Sequence, residues 1–224
     1  MYPLVKRFFD FVFSLLGFIV ISPLFIPIMI ANRLTGEGEI FYKQTRVGYK
    51  TDRFGILKFA TMLKNSPSLK GGTITMRDDP RITPMGKYLR ITKLNELPQL
   101  LNVIKGDMSF VGPRPLMPKS FSRYTKNVQS KVYDSVPGIT GIGSIVFRDE
   151  EKMVTEAHEK GIDPENFYDD VIFPYKGQLE LWYRENKSFW TDLKILFATA
   201  WVIVRPESDL VYTWFKKLPK KKTA

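Results

Sequence analysis

Hydrophobic and polar positions divide this chain into regimes, and the first is the most one-sided. From Phe11 to Ala31 run 21 residues without a formal charge, FVFSLLGFIVISPLFIPIMIA. A helix rises about 1.5 Å per residue and needs about 20 residues to cross a hydrocarbon core, so this run is long enough to enter a membrane. It is longer than a usual signal-peptide core and no small-x-small cleavage site follows, which argues against a cleaved leader. Ser22-Pro23 falls near its centre and Pro27 follows one turn later. Each proline removes an amide donor and crowds the preceding turn. The Ser22 hydroxyl is placed to satisfy a carbonyl freed there. Two half-length legs meeting at Ser22-Pro23 would make a re-entrant hairpin, and a single kinked spanning helix is the other reading. Lys6 and Arg7 precede the run, and Arg33, Lys43 and Arg46 follow it. Basic residues on both flanks fit two cytoplasmic ends better than one.

After Gly36-Glu37-Gly38 the pattern turns soluble. FYKQTRVGYKTDRFGILKFATM reads as short strands punctuated by Gly48 and Gly55. Asn65 to Gly72 and Asp78 to Pro84 read as polar, turn-rich loops. Leu97, Leu100, Leu101 and Ile104 fall at i, i+3, i+4 and i+7, predicting a helix after Pro98 that Gly106 stops. Ser109 to Pro118 is a proline-rich loop, and mostly helical patterns follow Asp163. In the last long one, Phe189, Leu193, Leu196, Phe197, Ala200, Trp201 and Val204 share a face. That helix is apolar over most of its circumference, and Trp182, Trp190, Trp201 and Trp214 cluster around it. Part of it is therefore expected to face lipid as an amphipathic interfacial helix, although burial in a core is the commoner use of such a stripe. The expected organisation is a membrane hairpin over 1–35, a core over 36–148, a helical part over 149–215 and a basic tail over 216–224. The fold class is α/β, helix-rich with a short sheet.

Composition narrows the partners. Lys plus Arg (34) exceed Asp plus Glu (23) by 11 in 224 residues, which calls for an anionic partner. Five of those lysines lie in the tail KKLPKKKTA, suited to anionic lipid rather than to a specific site. Nucleic acid is a poor fit, because the aromatics lie in the apolar run and the late helices instead of among arginines. There is no cysteine and only one histidine, His158, which excludes thiolate chemistry and histidine-rich metal sites. DEEK at 149–152 and the sequence around His158 read as solvated helix faces. Walker, GxSxG and Rossmann glycine patterns are absent.

The informative block is Lys87 to Leu116, KYLRITKLNELPQLLNVIKGDMSFVGPRPL. Together with KFATM at 58–62, DPRIT at 79–83 and Ser22-Pro23, it resembles the bacterial sugar transferase family, the monotopic phosphoglycosyl transferases. The resemblance covers nearly the whole chain. It implies transfer of a phosphosugar from a UDP-sugar to a polyprenyl phosphate, usually undecaprenyl phosphate, with release of UMP, dependence on Mg²⁺ and a phosphosugar intermediate on an aspartate. It also implies a place at the cytoplasmic face of the bacterial inner membrane, a re-entrant helix broken at Ser-Pro, and a role in starting lipid-linked polysaccharide or glycoprotein assembly. A second copy of the chain is a candidate partner.

The residues suit that chemistry. Arg114 sits between Pro113 and Pro115, where a restricted backbone presents a planar fork suited to phosphate oxygens. A rigid turn carrying an exposed arginine is the plainer reading of such a loop. Lys58 and Arg90 are further phosphate candidates by the match. Glu96 offers a hard oxygen for Mg²⁺, which takes one or two carboxylates plus substrate phosphates. Dipole compensation in a first helical turn is its plainer role.

Three departures stand out. The family motif is Asp-Glu-Leu-Pro-Gln with the aspartate as nucleophile, and this chain has Asn95-Glu96-Leu97-Pro98-Gln99. A neutral carboxamide cannot displace UMP as a carboxylate does, though asparagine is a good helix N-cap. A substitution made to trap substrate, a natural homologue that has lost turnover or uses Glu96, and direct attack by the lipid phosphate all remain open. A membrane-bound pseudoenzyme that binds without turnover is therefore the alternative to an enzyme. Ala60 replaces an arginine usual in KFRTM, and PGITGIGSIVFR at Pro137–Arg148 replaces an Asn-Gly-Arg ending, which bears on the sugar accepted.

Overall fold

The computed structural model describes residues 2–69, 75, 78–205 and 208–220. The far end of the Asn65–Gly72 loop, Pro206 and the last four residues of the basic tail lie outside them. The apolar run forms α1 (Tyr2–Leu34), a single 33-residue helix that continues through Ser22-Pro23 and Pro27. The two legs expected from the sequence are thus one element. Pro23 has no N–H to offer the Ile19 carbonyl, and Ser22 Oγ donates to that carbonyl at 2.9 Å. The proline removes one backbone bond without orphaning its acceptor.

Both halves of α1 rest on the same globular part. At the N-terminal end Lys6 pairs with Asp192 at 2.7 Å, and Asp10 Oδ1 accepts from the Phe110 N–H at 3.1 Å. Arg7 donates to the carbonyls of Val103 and Ile104 at 2.6 and 2.7 Å, capping the C-terminus of another helix with positive charge. Farther along, Phe25 and Ile28 pack with Phe59 and Leu89. Asn32 Nδ2 donates to the carbonyls of Ile40 and Ala60. Lys6 and Arg7, taken from the sequence as topology signals, therefore also have specific structural partners. The opposite face exposes Leu4, Phe8, Phe13, Leu16, Ile19, Val20, Ile26 and Ile30. Among the described residues α1 is the one helix long and apolar enough to cross a bilayer.

The punctuated segment after it is an antiparallel hairpin, β1 (Phe41–Val47) and β2 (Arg53–Phe59), with Val47 opposite Arg53 and Tyr42 opposite Lys58. α2 (Pro84–Ile91) starts where Thr83 Oγ1 accepts from the Gly86 N–H at 3.0 Å and Pro84 takes a first-turn position. α3 (Gln99–Lys105) ends at Gly106, whose φ of 95° is the left-handed conformation glycine tolerates. Its buried set includes Gln99 and Asn102 as well as Leu100 and Val103, so the apolar spacing gave only part of the inward face. Asn102 accepts from the Leu57 N–H at 3.0 Å and donates to the Gly55 carbonyl at 2.9 Å, which fixes α3 to β2.

A second, parallel pair, β3 (Ser109–Val111) and β4 (Gly138–Thr140), lies at the base of the proline-rich loop. A Cβ on Gly112 would lie 2.3 Å from the Val136 carbonyl oxygen, so only glycine lets these two segments approach. Farther along lie the helices α4 (Ile142–Val146), α5 (Glu150–Glu159), α6 (Phe173–Asn186), α7 (Phe189–Val204) and α8 (Leu210–Trp214), with shorter helical turns before and between them. The largest core joins Val111 and Ile142 to Leu179, Tyr183, Ile195 and Ala198. α7 buries Asp192, Ile195, Ala198 and Val202, whereas Phe189, Leu193, Leu196, Phe197 and Val204 of the expected stripe are exposed. The stripe read from the sequence is the outward one. It meets the outer face of α1 where Phe9 and Phe189 touch, ring centroids 5.6 Å apart. Together they make one apolar surface of the kind that lies against lipid.

Candidate active site

Three of the expected site residues converge. β2 carries Lys58, a 3₁₀ turn over Leu94–Glu96 carries Glu96, and the loop after β3 carries Arg114. Glu96 Oε1 accepts from Lys58 Nζ at 2.8 Å and from Arg114 Nη2 at 3.1 Å. Burial alone would raise the Glu96 carboxyl, but Lys58 and Arg114 outweigh it and hold Glu96 well below the usual carboxylate range. Burial pushes the Lys58 ammonium down to about 8 against the opposing pull of Glu96, with Arg114 and Arg46 repelling it further. Glu96 raises Arg114. At neutral pH the cluster is two cations on one carboxylate, a surplus that favours an anion.

The proline-rich loop is held from behind. Tyr133 Oη accepts from the Leu116 N–H at 2.8 Å and donates to the Arg114 carbonyl at 3.0 Å. The Arg114 N–H points to Glu180 Oε1 at 3.4 Å. Glu180 is buried on α6, its Oε2 has no hydrogen-bond partner, and burial raises its carboxyl to about 7. Beside it Lys176, also buried, pairs with Glu150 at 2.6 Å. Lys176, Glu180 and Tyr133 were not legible as site residues, because a lone charge or tyrosine on a helical pattern carries no sign that it faces inward.

Other expectations are corrected here. Glu96 lies in the 3₁₀ turn just before α3, one of the two places expected for it, and its carboxylate is committed to Lys58 and Arg114, not to the helix dipole. Asn95 caps nothing: Lys93 and Pro98 hold the cap positions of the turn and of α3. Asn95 is instead buried, with Oδ1 unpartnered. Arg90 pairs with Glu151 on α5. The run at 149–152 is largely a solvated face, as expected, with Glu150 turned inward to Lys176 and the exposed Glu151 paired with Arg90. In the DPRIT motif Arg81 is buried against Asp79, and donates to the Ser66 carbonyl at 2.9 Å.

For Mg²⁺ the fit is to a shared site. No group of three or more His, Asp or Glu side chains assembles among the described residues, so the protein builds no closed cage. Glu96 would supply one ionised oxygen donor there, with substrate phosphates completing the shell.

Comparison with known proteins places the chain in a family. The family model described as bacterial sugar transferase matches residues 1–206. The undecaprenyl-phosphate galactose phosphotransferase of Salmonella typhimurium is 33% identical over 215 residues, 90% of this chain and 40% of that protein. The exopolysaccharide production protein ExoY of Sinorhizobium fredii is 33% identical over 87% of this chain and 83% of its own length. The undecaprenyl-phosphate glucose phosphotransferase of Komagataeibacter xylinus is 32% identical over 88% of this chain and 35% of that protein. The chain thus spans less than half of the two phosphotransferases and most of ExoY. It belongs to the bacterial sugar transferase family, a family of membrane-associated phosphoglycosyl transferases.

Proposed function

We propose that this chain works on a UDP-sugar and undecaprenyl phosphate at the cytoplasmic face of the bacterial inner membrane, transferring the phosphosugar and releasing UMP. The observation that carries the reading is the Lys58–Glu96–Arg114 cluster, a buried-edge site with more positive than negative charge. Lys58 and Arg114 would bind and orient diphosphate oxygens, lowering the cost of charge moving onto the leaving UMP. Glu96 would hold Mg²⁺ together with the substrate phosphates, and the ion would neutralise charge on the diphosphate. With a carboxylate at position 95, one of its oxygens attacks the β-phosphorus and the bond to the bridging oxygen breaks. UMP then leaves with the electron pair. A phosphate oxygen of the lipid next attacks the same phosphorus and returns the carboxylate.

Asn95 favours a second reading. Its carboxamide is buried and neutral, and it has no anionic oxygen to start that sequence. In this reading the chain binds the same substrates without turning over. The apolar surface of α1 and α7 supports attachment with both ends of α1 on one side of the membrane, because both ends contact the same domain.

The test is UMP release from a panel of UDP-sugars with undecaprenyl phosphate, with and without Mg²⁺, for the chain as it stands and for Asn95→Asp. Turnover by Asn95→Asp alone makes the present chain a binder. Turnover by both forms that Glu96→Gln abolishes makes the aspartate dispensable. No turnover and no substrate binding by either form would overturn both readings.

A further inference from the structure

We propose that Arg46 is a third anion ligand of this site and that it completes, with Lys58 and Arg114, a cradle for a diphosphate group. The location rests on the reading above, whereas the residue is picked out by a separate observation. Arg46 lies on β1 opposite Phe54. Its Nη1 donates to the Pro115 carbonyl at 3.2 Å, one residue beyond Arg114, and its Nη2 donates to Gln44 Oε1. Its Nε is buried and has no hydrogen-bond partner. Among the described residues no carboxylate forms an ion pair with it; the nearby Glu96 is already committed to Lys58 and Arg114.

A half-buried guanidinium whose Nε is fully buried and which lacks a counter-ion is unusual, because charge withdrawn from water is normally paired. Burial, and then repulsion by Arg114, push Arg46 down to about 10. Arg46 also adds to the field that lowers Lys58. Three cations around one carboxylate leave two positive charges uncompensated, and a diphosphate diester brings two negative ones. The unused Nε–H is a donor of the kind that a guanidinium fork presents to phosphate oxygens.

The test uses the full chain in lipid nanodiscs, titrated calorimetrically with inorganic pyrophosphate and with UDP. Arg46→Gln is expected to weaken pyrophosphate binding roughly tenfold or more, as loss of a charged hydrogen bond does. As a measurement on the unaltered chain, pyrophosphate should slow modification of Arg46 by phenylglyoxal, followed by mass spectrometry. Pyrophosphate affinity within twofold of the parent in a folded Arg46→Gln variant overturns the proposal, as does modification of Arg46 at an unchanged rate while Arg114 is protected. Pyrophosphate binding that depends on Arg46, without UDP binding, keeps the cradle and removes the nucleotide-sugar reading. UDP binding independent of Arg46 does the reverse, and a parent chain that binds neither removes both.

Discussion

The buried carboxyl of Glu180 should make the stability of this protein depend on pH in a defined window. Glu180 lies on α6 behind the Arg114 loop, with Oε1 facing the Arg114 N–H and Oε2 unpartnered. The groups that bear on it are Arg114 from the loop, Lys176 from α6 and, through Lys176, Glu150 from α5. Burial raises its pKa from an ordinary 4.5 to about 7, despite the Arg114 N–H and the charges of Lys176 and Arg114. A folded-state pKa above the unfolded one means that the folded state binds the proton more tightly. The associated stability is fully present below about 4.5 and is lost as pH rises through about 7. The rise corresponds to about 3 kcal/mol, an upper bound because the protein relaxes around the charge. Glu180→Gln keeps the shape and an oxygen for the Arg114 N–H but cannot ionise. Its unfolding temperature in nanodiscs should match the parent near pH 4 and exceed it at pH 8 by up to about 10 °C, at about 2–4 °C per kcal/mol for a chain of this size. Parallel curves from pH 4 to 8, or a Gln variant less stable at pH 8, would refute the argument.

Two further outcomes follow from contacts away from the cations. Asn102→Ala leaves the half-buried Leu57 N–H and Gly55 carbonyl without their side-chain partner. It should destabilise the fold by about 2–4 kcal/mol and weaken pyrophosphate binding through the adjacent Lys58, as read by denaturant unfolding and calorimetry. Val20→Asp on α1 and Phe197→Asp on α7 alter the exposed apolar surface. Each should lower the fraction that floats with lipid vesicles and leave the unfolding temperature nearly unchanged, whereas the buried Phe25→Asp should unfold the protein. Equal unfolding by all three would show that the surface belongs to the core.

How much of this was legible in the sequence differs from element to element. The α1 run, the β1–β2 hairpin and the stop at Gly106 depend on local chemistry: uninterrupted apolar length, glycine punctuation and one residue able to adopt positive φ. Those signals lie within a few residues of where they act. Lys58, Glu96 and Arg114 were legible because their motifs resemble a family, not because spacing along the chain shows that they meet. Tertiary structure alone brings them to one carboxylate oxygen, since β2, the 3₁₀ turn and the β3 loop are distant in sequence. It alone also pairs Arg90 with Glu151, buries Lys176 and Glu180, and leaves Asn95 without a capping role.

The α7 helix shows the division most plainly. Its sequence is apolar on nearly every side, so periodicity predicted a helix and an apolar face but could not say which face the core would take. Packing decided it: Ile195, Ala198 and Val202 meet the core, and Phe197 and Val204 are left outside. The sequence by itself determined the long helices and the β1–β2 hairpin, though not the short strand β3 inside the expected proline-rich loop, and that the chain carries enough apolar surface and positive charge for a membrane and an anion. Which side chains are buried, which charges are paired and which are left over are properties of contacts between distant segments, and these exist only once the chain has folded.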